Sequence, residues 1–338
     1  MRAAKNWLSL SAISILSLPL FASHSDIDRH WGMTTEYVYL KRAKVTNRKL
    51  AKDSSNLYCD NGCWSTIAIS SKDLVNKLGF ESGARLSGYY YPDTKSIYEA
   101  SCTYVLPWTA SKTVYGNGTI SYPFHNYQVT QDYNFADQAT AHYKSHFYTI
   151  EMNYWRNSAV RGRDYFVFSG IFGIRYFHLN EKSTLAFTTN PDSTCISSTI
   201  VSHYNTKAHN DVIGIQGGFD FQTNPYMGFQ FDLKGLGGLG LNRAYGRVKL
   251  LDENDTIYIR DYQKQDAQSV VFADVEARVG YRVSSGVNIH AGYQMFYASG
   301  LAFSVAQYST SSDPSNERFY HNGPMILHGI LVGCDFRF

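Results

Sequence analysis

The last fourteen residues, MILHGILVGCDFRF, alternate between two series of side chains. The largely apolar series is Ile326, His328, Ile330, Val332, Cys334, Phe336 and Phe338. The other series includes Gly329, Gly333, Asp335 and Arg337. A period of two residues puts each series on one face of an extended strand. One face suits hydrocarbon and the other suits water, which predicts a strand in the wall of a membrane barrel. The alternative is an edge strand of a soluble sandwich.

Similar alternation recurs along the chain. In segment 269–283, every second residue from Val271 to Tyr281 is apolar, and acidic and basic residues lie between them. Ten such segments are predicted as strands: 31–40, 78–91, 95–106, 141–155, 164–178, 211–222, 226–240, 269–283, 287–300 and 325–338. An even number of strands is usual for single-chain bacterial barrels.

Short and long links alternate between these segments. The short ones are rich in turn-forming residues, as in Pro92-Asp93-Thr94. The long ones are 41–77, 107–140, 179–210, 241–268 and 301–324. This rhythm predicts an all-β, transmembrane antiparallel β-barrel of about 10–14 strands with short periplasmic turns and long extracellular loops. Possible strands at 184–189 and 245–251 leave the count open, and a helix is expected around 72–78.

The first 22 residues have the pattern of a signal peptide. Arg2 and Lys5 precede an apolar core, and small residues surround Ala22. We therefore expect a signal peptide at 1–22 and a barrel domain at 23–338. Beyond it, the absence of an apolar run of 18 residues argues against a spanning helix. The net charge of +3 falls to +1 without Arg2 and Lys5, so nothing indicates a nucleic-acid partner. The expected location is the bacterial outer membrane.

Five cysteines follow the expected signal peptide. Cys59 and Cys63 flank a short turn in a predicted external loop, which makes them disulfide candidates over other states. Cys195 is then left over, either free or joined to another chain. Cys102 and Cys334 fall on predicted lipid-facing positions. No second cysteine pair has the spacing of a zinc site, so no metal is expected.

Charged side chains on predicted inward positions form the main candidate site. The pore-lining candidates are Glu36, Arg85, Glu151, Arg175, Asp274, Glu276, Arg278 and Arg282, with Asp220, Asp232 and Arg337 on the same predicted face. In a barrel of about ten strands the interior is narrow. These charges could line a small pore and set its ion selectivity, or they could pair with one another and plug it. The sequence leaves both readings open.

Motifs for cofactors and catalysis are weak. Gly235, Gly237 and Gly240 spell G-x-G-x-x-G, but no helical pattern follows, so no cofactor is expected. His142 with Ser145, or His290 with nearby acids, lacks the spacing that would predict a nucleophile and its base. We therefore expect the chain not to be an enzyme.

A basic run lies in the first long link. It consists of Lys41, Arg42, Lys44, Arg48, Lys49 and Lys52, against the single acid Asp53. Such a run suits anionic lipopolysaccharide at the outer surface, although a solvated face is the common alternative.

The segment FSGIFGIRYFHLNE at Phe168 to Glu181, with Gly173 and Arg175, carries a family resemblance together with His328-Gly329 and Phe338. It resembles the pore-forming major-outer-membrane-protein-like family of Legionella and chlamydia-like bacteria, and related planctomycete barrels. The resemblance implies an outer-membrane porin, with external cysteines that cross-link the envelope.

The expected function is a porin-like channel for passive diffusion of small polar solutes or ions. The expected partners are outer-membrane lipid, lipopolysaccharide and the barrel-assembly machinery, for which Phe336 and Phe338 are the candidate assembly signal. A homo-oligomer is left open. The alternative function is a plugged structural or adhesin-type barrel whose extracellular loops bind a partner or cross-link the envelope.

Overall fold

The computed structural model describes residues 30–43, 48–53, 66–123, 133–157, 166–190, 199–223, 227–253, 258–309 and 318–338. Twelve β-strands occur in these ranges: β1 (Trp31–Ala43), β2 (Lys49–Asp53), β3 (Thr66–Ser70), β4 (Phe80–Tyr90), β5 (Ser96–Ser121), β6 (Ala136–Asn157), β7 (Phe166–Thr189), β8 (Ile200–Thr223), β9 (Phe229–Glu253), β10 (Tyr258–Ser284), β11 (Val287–Leu301) and β12 (Gly323–Arg337).

Ten of these strands close into an antiparallel barrel. Around the wall the order is β1, β4, β5, β6, β7, β8, β9, β10, β11 and β12, and β12 pairs with β1 to complete the ring. Where all ten strands overlap, closure gives each strand a hydrogen-bonded partner on both sides, whereas β5 beyond Val105 and β10 before Val271 extend past β4 and β11. The predicted fold class, an all-β antiparallel barrel of about 10–14 strands, is confirmed, with ten strands in the ring.

The two short strands and a helix lie between β1 and β4. β2 pairs with β3 and with the end of β5. The helix, α1 (Ser71–Asn76), begins where the Ser70 hydroxyl accepts a hydrogen bond from the Asp73 amide and the Asp73 carboxylate accepts one from the Ser70 amide. The helix expected around 72–78 is therefore present. None of the helices in the described ranges is long and apolar enough to span a bilayer.

One end of the barrel carries the tight connections, and we call it the turn end. The connection between β10 and β11 is Ser285-Gly286, and that between β4 and β5 is 91–95. Trp31 and Phe338 also meet at this end through two backbone hydrogen bonds of 3.0 and 3.1 Å. We call the opposite end the far end; its connections range from 254–257 between β9 and β10 to 302–322 between β11 and β12.

A band of exposed apolar side chains surrounds the barrel next to the turn end. On β9 it extends from Phe229 to Leu241 and on β10 from Val271 to Val283. Cys102 is exposed on the same outer wall. The outward series of the final strand includes Ile330, Val332 and Phe338 at 50–57% exposure, in agreement with the predicted alternation.

Six strands, β5 to β10, continue well beyond this band toward the far end. There the polarity of the two faces reverses: on β6 the outward positions change from Ile150 and Met152 to His142 and Lys144, while Tyr143 is buried inside. A strand with water outside and a packed interior needs this inverted pattern.

The reversal corrects the predicted loops. Much of 107–140, 179–210 and 241–268 is strand. The sequence pattern did not predict these strands, because their apolar residues face inward and do not match the pattern of a lipid-facing strand. The possible strands at 184–189 and 245–251 are the continuations of β7 and β9 and add no wall strand.

Some predictions concern residues outside the described ranges. These are the signal peptide at 1–22 and the cysteines Cys59, Cys63 and Cys195, together with Lys44 of the basic run.

Candidate functional site

Charged side chains meet in the lumen around Arg85 of β4, which is 8% exposed. Its Nη1 donates to Glu36 at 3.2 Å and to Glu276 at 2.8 Å, and its Nε donates to the Thr103 hydroxyl at 3.1 Å. A further hydrogen bond runs from its Nη2 to Gln294. β4 and β10 are four strands apart around the ring, so the contact with Glu276 crosses the lumen.

A second cluster forms around Arg175 of β7. Its Nη2 lies 2.9 Å from Glu151 and 2.9 Å from Asp274. Gln294 donates to both oxygens of Asp274 at 2.9 and 3.0 Å and thereby links the two clusters. Gln216 donates to Glu151 at 3.1 Å. Each carboxylate in this cluster therefore has an opposite charge and a neutral hydrogen-bond donor, as burial requires, whereas the buried Arg175 Nε has no hydrogen-bond partner among the described residues.

The first cluster continues toward the turn end through Arg278 and His290. Arg278 Nε donates to Glu276, and its Nη2 lies 3.6 Å from Glu36. His290 bridges two carboxylates, with Nε2 2.8 Å from Glu36 and Nδ1 3.1 Å from Asp335.

Beyond the charges, an aromatic layer crosses the barrel. The ring centroids of Phe147 and Phe296 are 5.7 Å apart, and those of Phe177 and Phe296 are 5.4 Å apart. β6 and β11 are diametrically opposite in the ring of ten. The Arg175 guanidinium lies 5.2 Å from the Phe296 ring centre, so charge and aromatic layers are in direct contact.

Farther toward the far end, a buried ion pair fastens a segment that enters the lumen. Arg42 lies 2.5 Å from Glu181, and both are completely buried. The same carboxylate accepts from the Ser304 amide at 2.9 Å. Ser304 begins a 3-10 helix (Ser304–Gln307), and all four residues of that helix are buried. Arg42 is therefore not part of a basic surface run, which corrects that prediction: its alternating position on β1 points inward.

The lumen is open at the turn end, where a polar cavity of about 480 Å³ has both acidic and basic side chains in its lining. Asp220, Asp232, Lys234 and Arg282 are among them. Lys234 lies 3.5 Å from Glu99. The inner limit of this cavity is reached at Glu276 and Arg278, where the paired charges begin.

The structure brings seven of the eight pore-lining candidates together in the two clusters. Arg282 lies apart, exposed at the mouth of the cavity, and Arg337 stacks over the Tyr91 ring at 4.4 Å. Sequence reasoning missed Gln216, Gln294 and the Arg42–Glu181 pair. The two glutamines occupy inward positions on predicted strands, which is a signal in the sequence. The prediction considered only charged side chains and therefore omitted them.

The catalytic pairings considered from sequence are not assembled. His142 is exposed on the outer wall, whereas Ser145 is completely buried on the inner one. His290 contacts Glu36 and Asp335 rather than Asp274 or Glu276. The three glycines of the G-x-G-x-x-G sequence all lie within strand β9.

No protein-family model matches this chain, and no curated protein sequence matches it either. Solved structures with a similar chain trace are outer-membrane barrels. The outer-membrane protease OmpT from Escherichia coli covers 94% of this chain and 99% of its own, at 7% identity and a TM-score of 0.49. A Pseudomonas aeruginosa FadL homologue covers 92% of this chain and 90% of its own, at 9% identity and a TM-score of 0.32. The P. putida toluene transporter TodX covers 93% of this chain and 90% of its own, at 9% identity and a TM-score of 0.23. At these values no residue role transfers to this chain.

One expectation is corrected by these comparisons. The chain was expected not to be an enzyme, yet a protease barrel is among the matches, so an enzyme-free reading is withdrawn. The expectation rested on missing local motifs, whereas catalytic groups on a barrel can come from strands distant in sequence.

Proposed function

We propose that the protein is a bacterial outer-membrane barrel whose lumen is closed by its own side chains and whose far end serves as a structural or binding platform. The observation that carries this is the set of direct side-chain contacts between opposite walls. Arg85 reaches Glu276 at 2.8 Å, and the rings of Phe147 and Phe296 meet at 5.7 Å. A water-filled path needs space between those walls.

The apolar band supports the membrane location. On β10 it extends over twelve residue steps from Val271 to Val283. At about 3.4 Å per step this is roughly 41 Å of strand, or about 31 Å of height at a tilt of about 40°. The hydrocarbon core of a bilayer is about 30 Å thick. The turn end then faces the periplasm and the far end faces the exterior.

Planar-bilayer recording tests the closed lumen. Protein refolded in lipid, with folding verified by heat-dependent gel mobility, should give no current steps above a protein-free bilayer. A general diffusion porin in the same chamber shows that openings are detectable. Reproducible steps from the folded protein would reject the closed barrel.

A channel for small polar solutes is the second candidate, because the turn-end cavity of about 480 Å³ penetrates as far as Glu276 and Arg278. If that cavity belongs to a conducting path, Arg278→Glu should shift the reversal potential toward cation selectivity. The matched control is Arg243→Glu on the outer wall, which should leave the reversal potential unchanged.

Insertion by the barrel-assembly machinery is part of the proposal. Phe336 and Phe338 stand at alternate positions beside β1, and Phe338 is 57% exposed. Phe338→Ser should lower the assembled fraction in outer membranes, whereas Phe168→Ser, on the outer wall of β7, should lower it less. Equal assembly of both variants would remove this role.

Platform activity at the far end has its own test. Deletions within the connection between β7 and β8 should abolish adhesion of protein-displaying cells to a responsive host or envelope surface while the bilayer recordings stay unchanged. If adhesion persists after each far-end connection has been deleted in turn, the platform role is wrong.

A further inference from the structure

Four basic side chains stand side by side on the outer wall, above the apolar band. Lys144 pairs in register with Lys182, Lys182 with Lys207, and Lys207 with Arg247. We call these four residues the cation row. It crosses β6 to β9, and three spacings of about 4.8 Å give it a length of roughly 14 Å.

The three lysines have no acidic neighbour to offset their charge. In the ranges that the structure describes, no carboxylate lies within 4.0 Å of Lys144, Lys182 or Lys207. Arg247 is different, because Asp261 accepts from its Nε at 3.1 Å and its Nη2 at 2.8 Å. The hydrogen bonds from Arg247 hold the pKa of Asp261 below its usual range, so this carboxylate stays ionised.

Neighbouring rows on β6, β7 and β8 do not supply acids either. On one side the outward residues are His142, Thr184 and Asn205, and on the other they are His146, Asn180 and His209. Like charges directly opposite each other destabilise a sheet. The electrostatic repulsion among the three lysines is therefore not offset by acidic residues of this wall, and a bound anionic ligand would offset it.

A depression in the wall adjoins the row. It has a volume of about 390 Å³, and both Lys144 and Lys182 line it. Thr109, Ser111 and Thr184 are also in the lining, and the Thr184 hydroxyl donates to Asn205 at 2.8 Å, which leaves Thr109 and Ser111 as the hydroxyl donors. Ammonium groups with hydroxyl donors around a concave surface suit a phosphate group, which accepts several charge-assisted hydrogen bonds.

The height of the row suggests what the phosphate belongs to. On β6 it lies six residues beyond Ile150, the last strongly exposed apolar residue of that strand, and on β8 it lies six beyond Ile213. Six steps are about 20 Å of strand, or roughly 15 Å of height at a tilt of about 40°. This level is above the hydrocarbon and within the phosphorylated sugars of an outer leaflet made of lipopolysaccharide.

We propose that the cation row and the adjoining depression bind the phosphorylated head group of lipopolysaccharide on the outer wall of the barrel. This inference rests on the proposed outer-membrane placement, but it does not depend on the closed lumen. The site differs from the first-loop basic run suggested by the sequence, in which Arg42 is buried.

The test uses the refolded full-length chain in lipopolysaccharide-free nonionic detergent, titrated with purified lipopolysaccharide. The variant carries Lys144→Gln, Lys182→Gln and Lys207→Gln. Each base near an anionic surface contributes roughly a factor of five in affinity, so the triple variant should bind at least about tenfold more weakly. A control with the same charge loss at exposed sites elsewhere carries Lys72→Gln, Lys95→Gln and Lys264→Gln.

Further arms separate the alternatives. The triple Lys→Arg variant should retain binding, and enzymatically dephosphorylated lipopolysaccharide should bind weakly to the wild type. Equal affinity of the row variant and the control would overturn the site. Saturation by inorganic phosphate, with no tighter binding of lipopolysaccharide, would overturn the glycolipid assignment.

Failure of this inference is distinguishable from failure of the proposed function. If the wild type inserts into vesicles and gives no current but binds lipopolysaccharide independently of the row, only the inference fails. If the folded wild type does not enter bilayers, the outer-membrane placement fails.

Discussion

Replacing Arg175 with methionine would remove one cation from between two buried carboxylates. Its guanidinium lies 2.9 Å from both Glu151 and Asp274, and its side chain is 1% exposed. Removing one partner of a buried ion pair costs about 3–5 kcal/mol, because the remaining charge stays buried without compensation. We expect Arg175→Met to lower the free energy of unfolding by this amount, which exceeds a hundredfold change in the unfolding constant.

A compensated variant shows whether charge or shape causes the loss. In Arg175→Met with Glu151→Gln and Asp274→Asn, the charges are gone, while Gln216 and Gln294 still have neutral partners. Replacing every member of a buried ion cluster with an uncharged residue often leaves the stability unchanged or raises it. The triple variant should therefore recover most of the stability that the single variant loses.

Urea unfolding in lipid vesicles, followed by tryptophan fluorescence and gel mobility, measures both variants. The control is Arg282→Met, an exposed arginine at the cavity mouth, which should change stability by no more than about 0.5 kcal/mol. If Arg175→Met matches this control, the lumen charges are hydrated and the closed-lumen reasoning is wrong. A triple variant no more stable than the single one would show that packing, not charge, causes the loss.

The remaining predictions concern the barrel wall and the far-end packing. Gly218→Ala should strongly reduce the folded fraction in gel-mobility assays, because the added Cβ would lie 1.9 Å from the Gly235 carbonyl oxygen, whereas Gly237→Ala meets nothing within 4 Å and should fold normally. Trp108→Phe removes a 3.0 Å hydrogen bond to the Leu40 carbonyl and should cost about 1 kcal/mol in urea unfolding; no change would mean that water replaces the bond. Glu181→Gln leaves a buried cation unpaired and should cost about 3–5 kcal/mol, with unchanged stability contradicting burial of that pair.

The sequence predicted the parts of the barrel that carry the exposed apolar band. Segment 269–283 alternates in the way that hydrocarbon on one side demands, and its strand and inward charges are where the pattern indicated. The far-end halves of the long strands were not predicted. There the apolar residues, such as Tyr143 and Phe187, occupy the inward positions instead of the outward ones. Nothing in the local sequence indicates that the apolar series moves from the outer face to the inner face along a single strand.

The pairing of lumen charges lay beyond sequence reasoning for a different reason. Arg85 and Glu276 are 191 positions apart, and their contact depends on the ring order and register of strands that lie far apart in the chain. Alternation assigns each residue to the inner or the outer face, but it does not determine which inward side chains of opposite walls contact each other. An open pore and a filled one therefore have the same two-residue alternation.

Beyond the reversal of polarity, the continuations of β5 to β10 make the barrel much taller than its apolar band. From Val271 back to Tyr258, β10 continues for about 44 Å of strand, or roughly 34 Å of height at a tilt of about 40°. On the proposed outer-membrane placement, this extension would carry the far-end connections well above the bilayer surface.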